Sequence, residues 1–169
     1  MSNEIDGLVD SFVSMLVAAG VPIRVAQNAK ALTELEEKLA ARLPQSFESL
    51  LSRYSFPTFD VCGLTLFGWN SNWESTEYFS SATGPKGSLA ELLLPARLVQ
   101  IGRPDTGDFD AICLDGKDKA QNRDQRIVRV DHEEVLRNGR VRVVSEFAPS
   151  FRKFVETVLS SSAPKIYLD

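Results

Sequence analysis

The sequence has few of the residues that most often carry chemistry. Its 169 residues include two cysteines and one histidine, and no Cys-x-x-C pair is present. One histidine and two separated cysteines cannot complete a four-ligand zinc site by themselves. Cys62 and Cys113 lie in apolar, strand-like segments, which predicts core thiols in a reducing compartment.

Long apolar segments and a basic N-terminal signal are also absent. No run approaches the roughly 18 apolar residues that a membrane-spanning helix needs. Glu4, Asp6 and Asp10 occupy positions where a secretory signal would be basic. The formal net charge of -4 disfavours association with nucleic acid or with anionic lipid. We therefore expect a cytoplasmic protein that binds neither nucleic acid nor membrane.

The residues that are present suffice for a core, since 43% are hydrophobic, and their spacing divides the chain into helical and strand-like regions. In the first third, apolar residues at helical intervals predict three helices, the first ending at Gly20 and the third before Pro57. A C-terminal helix is also predicted, with Pro149 at its first helical position. Between these helices, short apolar runs predict strands at residues 58–62, 64–68, 97–101, 109–114, 126–130 and 141–144.

Most connections between the predicted strands are too short for parallel crossovers, which need about a dozen residues or more. We therefore predict an α+β fold: a mainly antiparallel sheet of about five to six strands, with helices packed at the N-terminal part and a C-terminal helix. The Asn138-Gly139 pair before the last strand is a strong signal for a tight hairpin turn. Residues 70–88 form the longest irregular segment, and loops of that length are often functional.

Several short motifs follow one another along this layout. A helix with Glu36 is followed by Leu43-Pro44, an aromatic residue and a short leucine-rich helix. Further on come Ile101-Gly102, a Gly-Asp turn, a strand that ends in aspartate, and then Val130-Asp131-His132-Glu133. This order resembles the SUKH superfamily, which includes the yeast cell-wall assembly regulator and many bacterial immunity proteins. The positions that match its structural motifs are Glu36, Leu39, Leu43, Pro44, Phe47, Gly102 and Asp115.

The resemblance extends over most of the chain from about residue 30 onward. It implies a single domain, residues 1–169, with an N-terminal helix and linker (1–25), a family core (26–162) and a tail (163–169). It also implies a binding fold without a shared catalytic constellation, so we expect neither enzyme activity nor a cofactor. Many bacterial members are thought to neutralise toxins by direct contact, so the expected partner is a protein, with a cognate toxin domain as the leading candidate. A regulatory scaffold domain is the alternative, and a metal-dependent enzyme is a third hypothesis.

Aspartates are densest between residues 105 and 118, namely Asp105, Asp108, Asp110, Asp115 and Asp118. Such carboxylates could hold a hard metal ion, but apolar residues follow where a calcium loop has further ligands and a glycine. On a strand, Asp108 and Asp110 would share one face, with Phe109 on the other. We interpret the cluster as an acidic sheet rim or turn, and whether it holds an ion stays open.

His132 and the arginines around it allow an active-site or a nucleic-acid interpretation. Imidazole can act as a general acid or base, but no nucleophile motif accompanies His132, which favours a strand-end histidine that caps the next turn. The arginines could form a nucleic-acid stripe, but acidic residues alternate with them, so cross-strand ion pairs explain them equally well. They are Arg123, Arg126, Arg129, Arg137, Arg140 and Arg142.

Two aromatic residues, Trp73 and Tyr78, stand in the long irregular segment with Glu74 and Glu77 close by. Tryptophan and tyrosine are favoured interface anchors because they bury a large area at a small cost in rotamer entropy. In the alternative, Trp73 folds back over the sheet as a lid. The predicted partner-binding residues are Trp73, Glu74, Glu77, Tyr78, Asp105 and Asp108.

Overall fold

Helices occupy the first third of the chain, where apolar residues recur at helical spacing. The structure is a computed structural model that describes residues 2–70, 78–84, 87–117 and 124–168. Gly20 has a φ of +95°, and the Val21 amide donates to the carbonyl oxygen of Leu16, so the first helix ends where the sequence predicts. The elements of this region are α1 (Ser2–Ala18), β1 (Arg24–Val25), α2 (Ala29–Leu39) and α3 (Gln45–Arg53).

Strands dominate the remainder of the chain. After α3 come β2 (Tyr54–Ser55), β3 (Phe59–Val61), β4 (Leu64–Leu66), α4 (Phe79–Ala82), α5 (Ala90–Leu93), β5 (Leu98–Pro104), β6 (Ala111–Asp115), β7 (Ile127–Val130), α6 (His132–Asn138), β8 (Val143–Ala148), α7 (Phe151–Ser160) and β9 (Ile166–Leu168). β1 and β2 pair with each other in a small separate sheet.

The large sheet confirms the predicted α+β class. Within the described ranges its order is β8-β7-β6-β5-β4-β3-β9, and each neighbouring pair is antiparallel. It therefore has seven strands instead of the predicted five to six. The additional strand is β9, which lies in the segment interpreted as a tail and pairs with β3. Three residues are too few to show a period, so no pattern in the sequence indicated β9.

The prediction of a hairpin turn at Asn138-Gly139 is wrong. Asn138 ends α6, and Gly139 caps it in the left-handed conformation, with a φ of +60° and its amide bonded to the carbonyl oxygen of Val135. The same left-handed geometry serves hairpin turns and helix C-caps, so the dipeptide cannot distinguish them. α6 begins at Asp131, whose carboxylate accepts hydrogen bonds from the amides of Glu133 and Glu134.

Both faces of the large sheet are covered. In β7, Ile127 belongs to the main hydrophobic cluster, while the next residue, Val128, belongs to a smaller one on the opposite face. The main cluster joins the sheet to α1, α3 and α7, and the smaller one joins it to α5 and α6. Cys113 is fully buried in the smaller cluster, and burial raises its pKa well above the usual range, whereas Cys62 is partly exposed.

The motif residues of the resemblance mostly hold the framework together. Oε1 of Glu36 accepts a hydrogen bond of 2.9 Å from the Leu43 amide, so α2 fixes the segment that leads into α3. Pro44 caps α3, and its carbonyl oxygen accepts a hydrogen bond from the Glu48 amide. Phe47 is buried between the rings of Phe79 and Phe151 in edge-on contacts.

Replacing Glu36 with glutamine is expected to lower the free energy of unfolding by about 1 kcal/mol, because a neutral acceptor makes a weaker hydrogen bond to the Leu43 amide. Replacement with alanine removes the acceptor and should cost about 2 kcal/mol. Urea denaturation of both variants measures the two losses. Equal stability of the wild type and Glu36→Ala would show that this contact does not hold the α2–α3 connection.

Candidate interaction surface

Three turns meet at one end of the large sheet. β5 ends at Pro104, β6 begins at Ala111 and β7 ends at Val130. Because these strands are antiparallel neighbours, residues 105–110 and the start of α6 lie side by side. The β3–β4 turn reaches the same end, since Leu64 pairs with Pro104. We call the following residues the acidic corner: Asp108, Phe109, Asp110, Arg129 and His132.

Asp110 is the centre of the acidic corner. It is 8% exposed, and its Oδ2 accepts a hydrogen bond of 2.6 Å from Nε of Arg129. Its Oδ1 accepts a hydrogen bond of 3.0 Å from the backbone amide of His132 and lies 2.8 Å from Nδ1 of the same residue. Arg129 also donates to Oδ2 of Asp108 at 2.8 Å. One buried carboxylate therefore fixes β6, β7 and α6 relative to each other.

The electrostatics of the corner favour the ionised form of Asp110. Burial alone raises the pKa of Asp110, but the hydrogen bonds from His132 and Arg129 outweigh burial and hold this pKa below its usual range. The hydrogen bond to Asp110 raises the pKa of Arg129, which is cationic in any case. The two carboxylates face one guanidinium, so these three side chains carry a net negative charge.

Phe109 projects from the corner into solvent. It is 68% exposed, and its ring meets the His132 ring edge-on with the centroids 6.0 Å apart. All ten phenylalanines lie in the described ranges, and the other nine are buried or partly buried. The prediction that Phe109 lies on the apolar face of a strand is wrong, because β6 begins only at Ala111. The signal in the sequence was Gly107, which has a φ of +82° and is followed by the Asp-Phe-Asp tripeptide in irregular structure.

Three residues of the corner could in principle contribute to a metal site. Asp108, Asp110 and His132 each offer one ligand atom, and these atoms lie within 4.8 Å of one another. Arg129 already donates to both carboxylates, so a metal ion would have to displace a guanidinium. The prediction that His132 caps the following turn is wrong. Asp131 caps α6, and His132 is its first helical residue.

The other described aspartates of the dense stretch lie apart from this network. Oδ2 of Asp105 accepts a hydrogen bond of 2.9 Å from the Gly63 amide, which ties the end of β5 to the β3–β4 turn. Asp115 stands at the opposite end of β6, where its Oδ2 accepts from Nε of Arg126 at 2.9 Å and its Oδ1 from the Lys117 amide at 3.0 Å. Asp118 lies outside the described residues. The structure therefore divides the cluster into separate structural contacts.

Three of the six predicted partner-binding residues lie in the described ranges, and of these Tyr78 lies apart from Asp105 and Asp108. Trp73, Glu74 and Glu77 lie outside the described residues. Tyr78 is partly buried, caps α4 and forms a bridge with Gly68, beyond the end of β4 that is remote from the corner. Asp108 has a side chain that is 44% exposed and belongs to the corner. A role of these residues in binding stays a prediction.

Several of the arginines form ion pairs with acidic residues. Arg126 pairs with Asp115, and Arg129 pairs with Asp108 and Asp110. The contacts of Arg137 with Glu133 and of Arg142 with Asp131 are longer, at 3.6 and 3.9 Å. These contacts favour the ion-pair interpretation, while Arg123 lies outside the described residues.

The segment that carries these features corresponds to a known family. The sequence model of the SMI1 / KNR4 family (SUKH-1) matches residues 28–157, which is well over half of the chain. The chain belongs to the SMI1/KNR4 family. The match begins just before α2, ends within α7 and includes the whole acidic corner, and it confirms the predicted membership of the SUKH superfamily. Among curated proteins, none has a sequence that matches this SMI1/KNR4 chain significantly.

The helices of this SMI1/KNR4 chain that the structure describes are short or carry polar faces. None of the helices in the described ranges combines the length and the apolar composition that a bilayer-crossing helix requires.

Proposed function

We propose that this SMI1/KNR4-family chain is a non-enzymatic protein-binding domain that docks its partner on the acidic corner. The proposal is based on one observation: the exposed ring of Phe109 rests edge-on against the His132 ring, and its neighbours in the chain, Asp108 and Asp110, are both hydrogen-bonded to Arg129. An aromatic side chain in a fixed position loses little entropy on binding, and such residues often dominate the energy of interfaces. The polar groups around Phe109 would form the rim that excludes water from the contact.

We further propose that the partner is a toxin that the chain neutralises. The wider SUKH superfamily, which the chain resembles, includes immunity proteins, and a binder with a net charge of -4 suits a basic partner through electrostatic steering. The alternative is a regulatory scaffold domain, which would use the same surface for a partner that is harmless to the cell. Enzyme activity is not part of this proposal, and the corner would work by contact alone.

Replacing Phe109 with alanine is expected to weaken binding of the partner about 30-fold, which is typical of an interface hot spot. The partner is first captured from the native cell with the full chain as bait, and its affinity is then measured by calorimetry. The unfolding transition of Phe109→Ala should match the wild type, because the ring is exposed.

The matched control is Tyr167→Ala, which removes another exposed ring from β9, an edge strand of the sheet that lies four strands from β6. Loss of affinity in this variant but not in Phe109→Ala would place the interface elsewhere.

The identity of the captured partner also distinguishes toxin neutralisation from the scaffold role. Expression of the partner alone should arrest cell growth, and co-expression of the chain should restore it if the partner is a toxin. A partner without effect on growth would support the scaffold role.

A further inference from the structure

A groove runs along the C-terminal half of α2, opposite the segment from α4 to the start of β5. It consists of two parts with volumes of about 770 and 560 Å³ that share Leu39 and Leu94. Both volumes lie in the range of ligand sites in proteins, roughly 300–1,000 Å³. We call these two joined cavities the α2 groove. It is elongated and open, a shape that suits a chain segment better than a compact small molecule.

The α2 groove lies far from the acidic corner. Arg97 and Gly116 line it, and they stand directly before β5 and directly after β6. The corner is formed where β5 ends and β6 begins. The seven residues of β5 separate the two surfaces by roughly 20 Å. Each surface can therefore be altered without disturbing the other.

The rim of the α2 groove is basic although the chain is acidic overall. Lys38, Arg42 and Arg97 line it, and Glu91 is the one acidic side chain among its described lining residues. Arg42 makes two long ion pairs with α2 and α3, at 3.8 and 3.9 Å. Lys38 and Arg97 are exposed, and the described part of the chain provides no ion-pair partner for either. Two cationic side chains are thus available beside an apolar wall of leucines.

The backbone of the α2 groove is unusual as well. Four non-glycine residues with positive φ occur in the described ranges, and two of them, Ala40 at +50° and Arg97 at +60°, line this groove. At Ala40 this conformation is the ordinary C-cap of α2. At Arg97 it costs about 1 kcal/mol or more, and such residues cluster at binding sites. The Gly116 amide donates to the carbonyl oxygen of Arg97 at 2.8 Å, which holds Arg97 in this conformation.

We propose that the α2 groove binds an extended acidic segment of a partner protein. A leucine-sized side chain of that segment lies against Leu39 and Leu94, and its carboxylates bind Lys38 and Arg97. The charge of the rim selects the occupant, since basic peptides are repelled and uncharged peptides gain no ion pair. This inference does not depend on the function proposed for the acidic corner, because it concerns the opposite end of the sheet.

The test is a selection of short random peptides, displayed on phage, against the full chain. Enriched peptides should combine aspartate or glutamate with a large aliphatic residue. A synthetic peptide with the enriched sequence should bind at least about tenfold more weakly to the double variant Lys38→Glu/Arg97→Glu, and more weakly at high salt. Arg97→Gly provides a second variant that keeps the left-handed backbone and should also lose affinity.

Two controls accompany this measurement. Arg137→Glu reverses another exposed cation, on α6, and should leave peptide affinity unchanged. Phe109→Ala should also leave it unchanged, which separates this result from the function proposed for the corner. Three outcomes would overturn the proposal: enrichment of basic peptides, no enrichment at all, or equal affinity for wild type and double variant. Binding of a single-stranded oligonucleotide that the double variant abolishes would replace the peptide with nucleic acid as the occupant.

Discussion

Replacing Gly102 with alanine is expected to lower the free energy of unfolding by about 3 kcal/mol or more. Gly102 lies on β5 directly beside β4, at the pair Leu66–Gly102. A Cβ at this position would overlap the carbonyl oxygen of Thr65 and lie 2.9 Å from Cδ1 of Leu64. The backbone of Thr65 cannot move aside as a flexible side chain can, so β4 and β5 would have to separate.

Gly7→Ala is the matched control for this substitution. Gly7 lies within α1, and a Cβ there would meet nothing within 4 Å. Alanine is the better helix former by about 0.5–1 kcal/mol, so this variant should be slightly more stable than the wild type. Guanidinium denaturation of both variants measures the contrast. If Gly102→Ala retained wild-type stability, the close approach of β4 and β5 would not be what this position requires.

Replacing Asp110 with alanine is expected to cost about 2–4 kcal/mol at neutral pH. The substitution leaves the His132 amide and one nitrogen of Arg129 without their acceptor in a site that is largely closed to water. Asp108→Asn is the matched control, because its side chain is 44% exposed and accepts a single hydrogen bond from Arg129, so the expected loss is below about 1 kcal/mol.

The loss in Asp110→Ala should also depend on pH. The pKa of Asp110 is lower in the folded chain than in the unfolded chain. The carboxylate therefore contributes its stability above the unfolded pKa, about 3.9, and loses it as the pH falls through the folded pKa. The stability difference between wild type and Asp110→Ala should be constant near neutral pH and narrow in acid. A difference that stayed constant down to pH values below the folded pKa would exclude Asp110 as the group responsible.

Asp110→Ala also links stability to the proposed docking of a partner. Asp110 lies beside Phe109 in the chain and holds the His132 ring against which the Phe109 ring rests. Loss of this support should leave Phe109 present but less fixed, so the affinity for the captured partner should fall with the aromatic ring still in place. The affinity measured for Asp110→Asn, which keeps the shape of the side chain, would show how much of this effect is due to charge.

The order of helices and strands could be predicted from the sequence because local spacing determines it. The positions of α1, α2 and α3 follow from helical periodicity, and Gly20 ends the first helix in the conformation that its lack of a side chain allows. The SUKH motifs were recognisable for the same reason, since Leu43-Pro44 and Glu36 serve one short connection between two helices. The α+β class then followed from strands that are too close in sequence for parallel crossovers.

The candidate surfaces were decided by tertiary structure. Phe109 was expected on a strand, on the face opposite Asp108 and Asp110, but the first pairing of β6 occurs at Ala111, and pairing depends on β5 and β7. Arg129 and Asp110 are 19 residues apart in sequence, and only the antiparallel register brings them together.

The α2 groove and β9 could not be predicted from the sequence for a related reason. Local periodicity records which face of an element is apolar, but it does not record which distant element covers that face. The sequence by itself therefore determined the class, the family and most elements of this protein. The fold alone decided which side chains meet at the corner and which cations line the groove, because both depend on contacts between segments far apart in the chain.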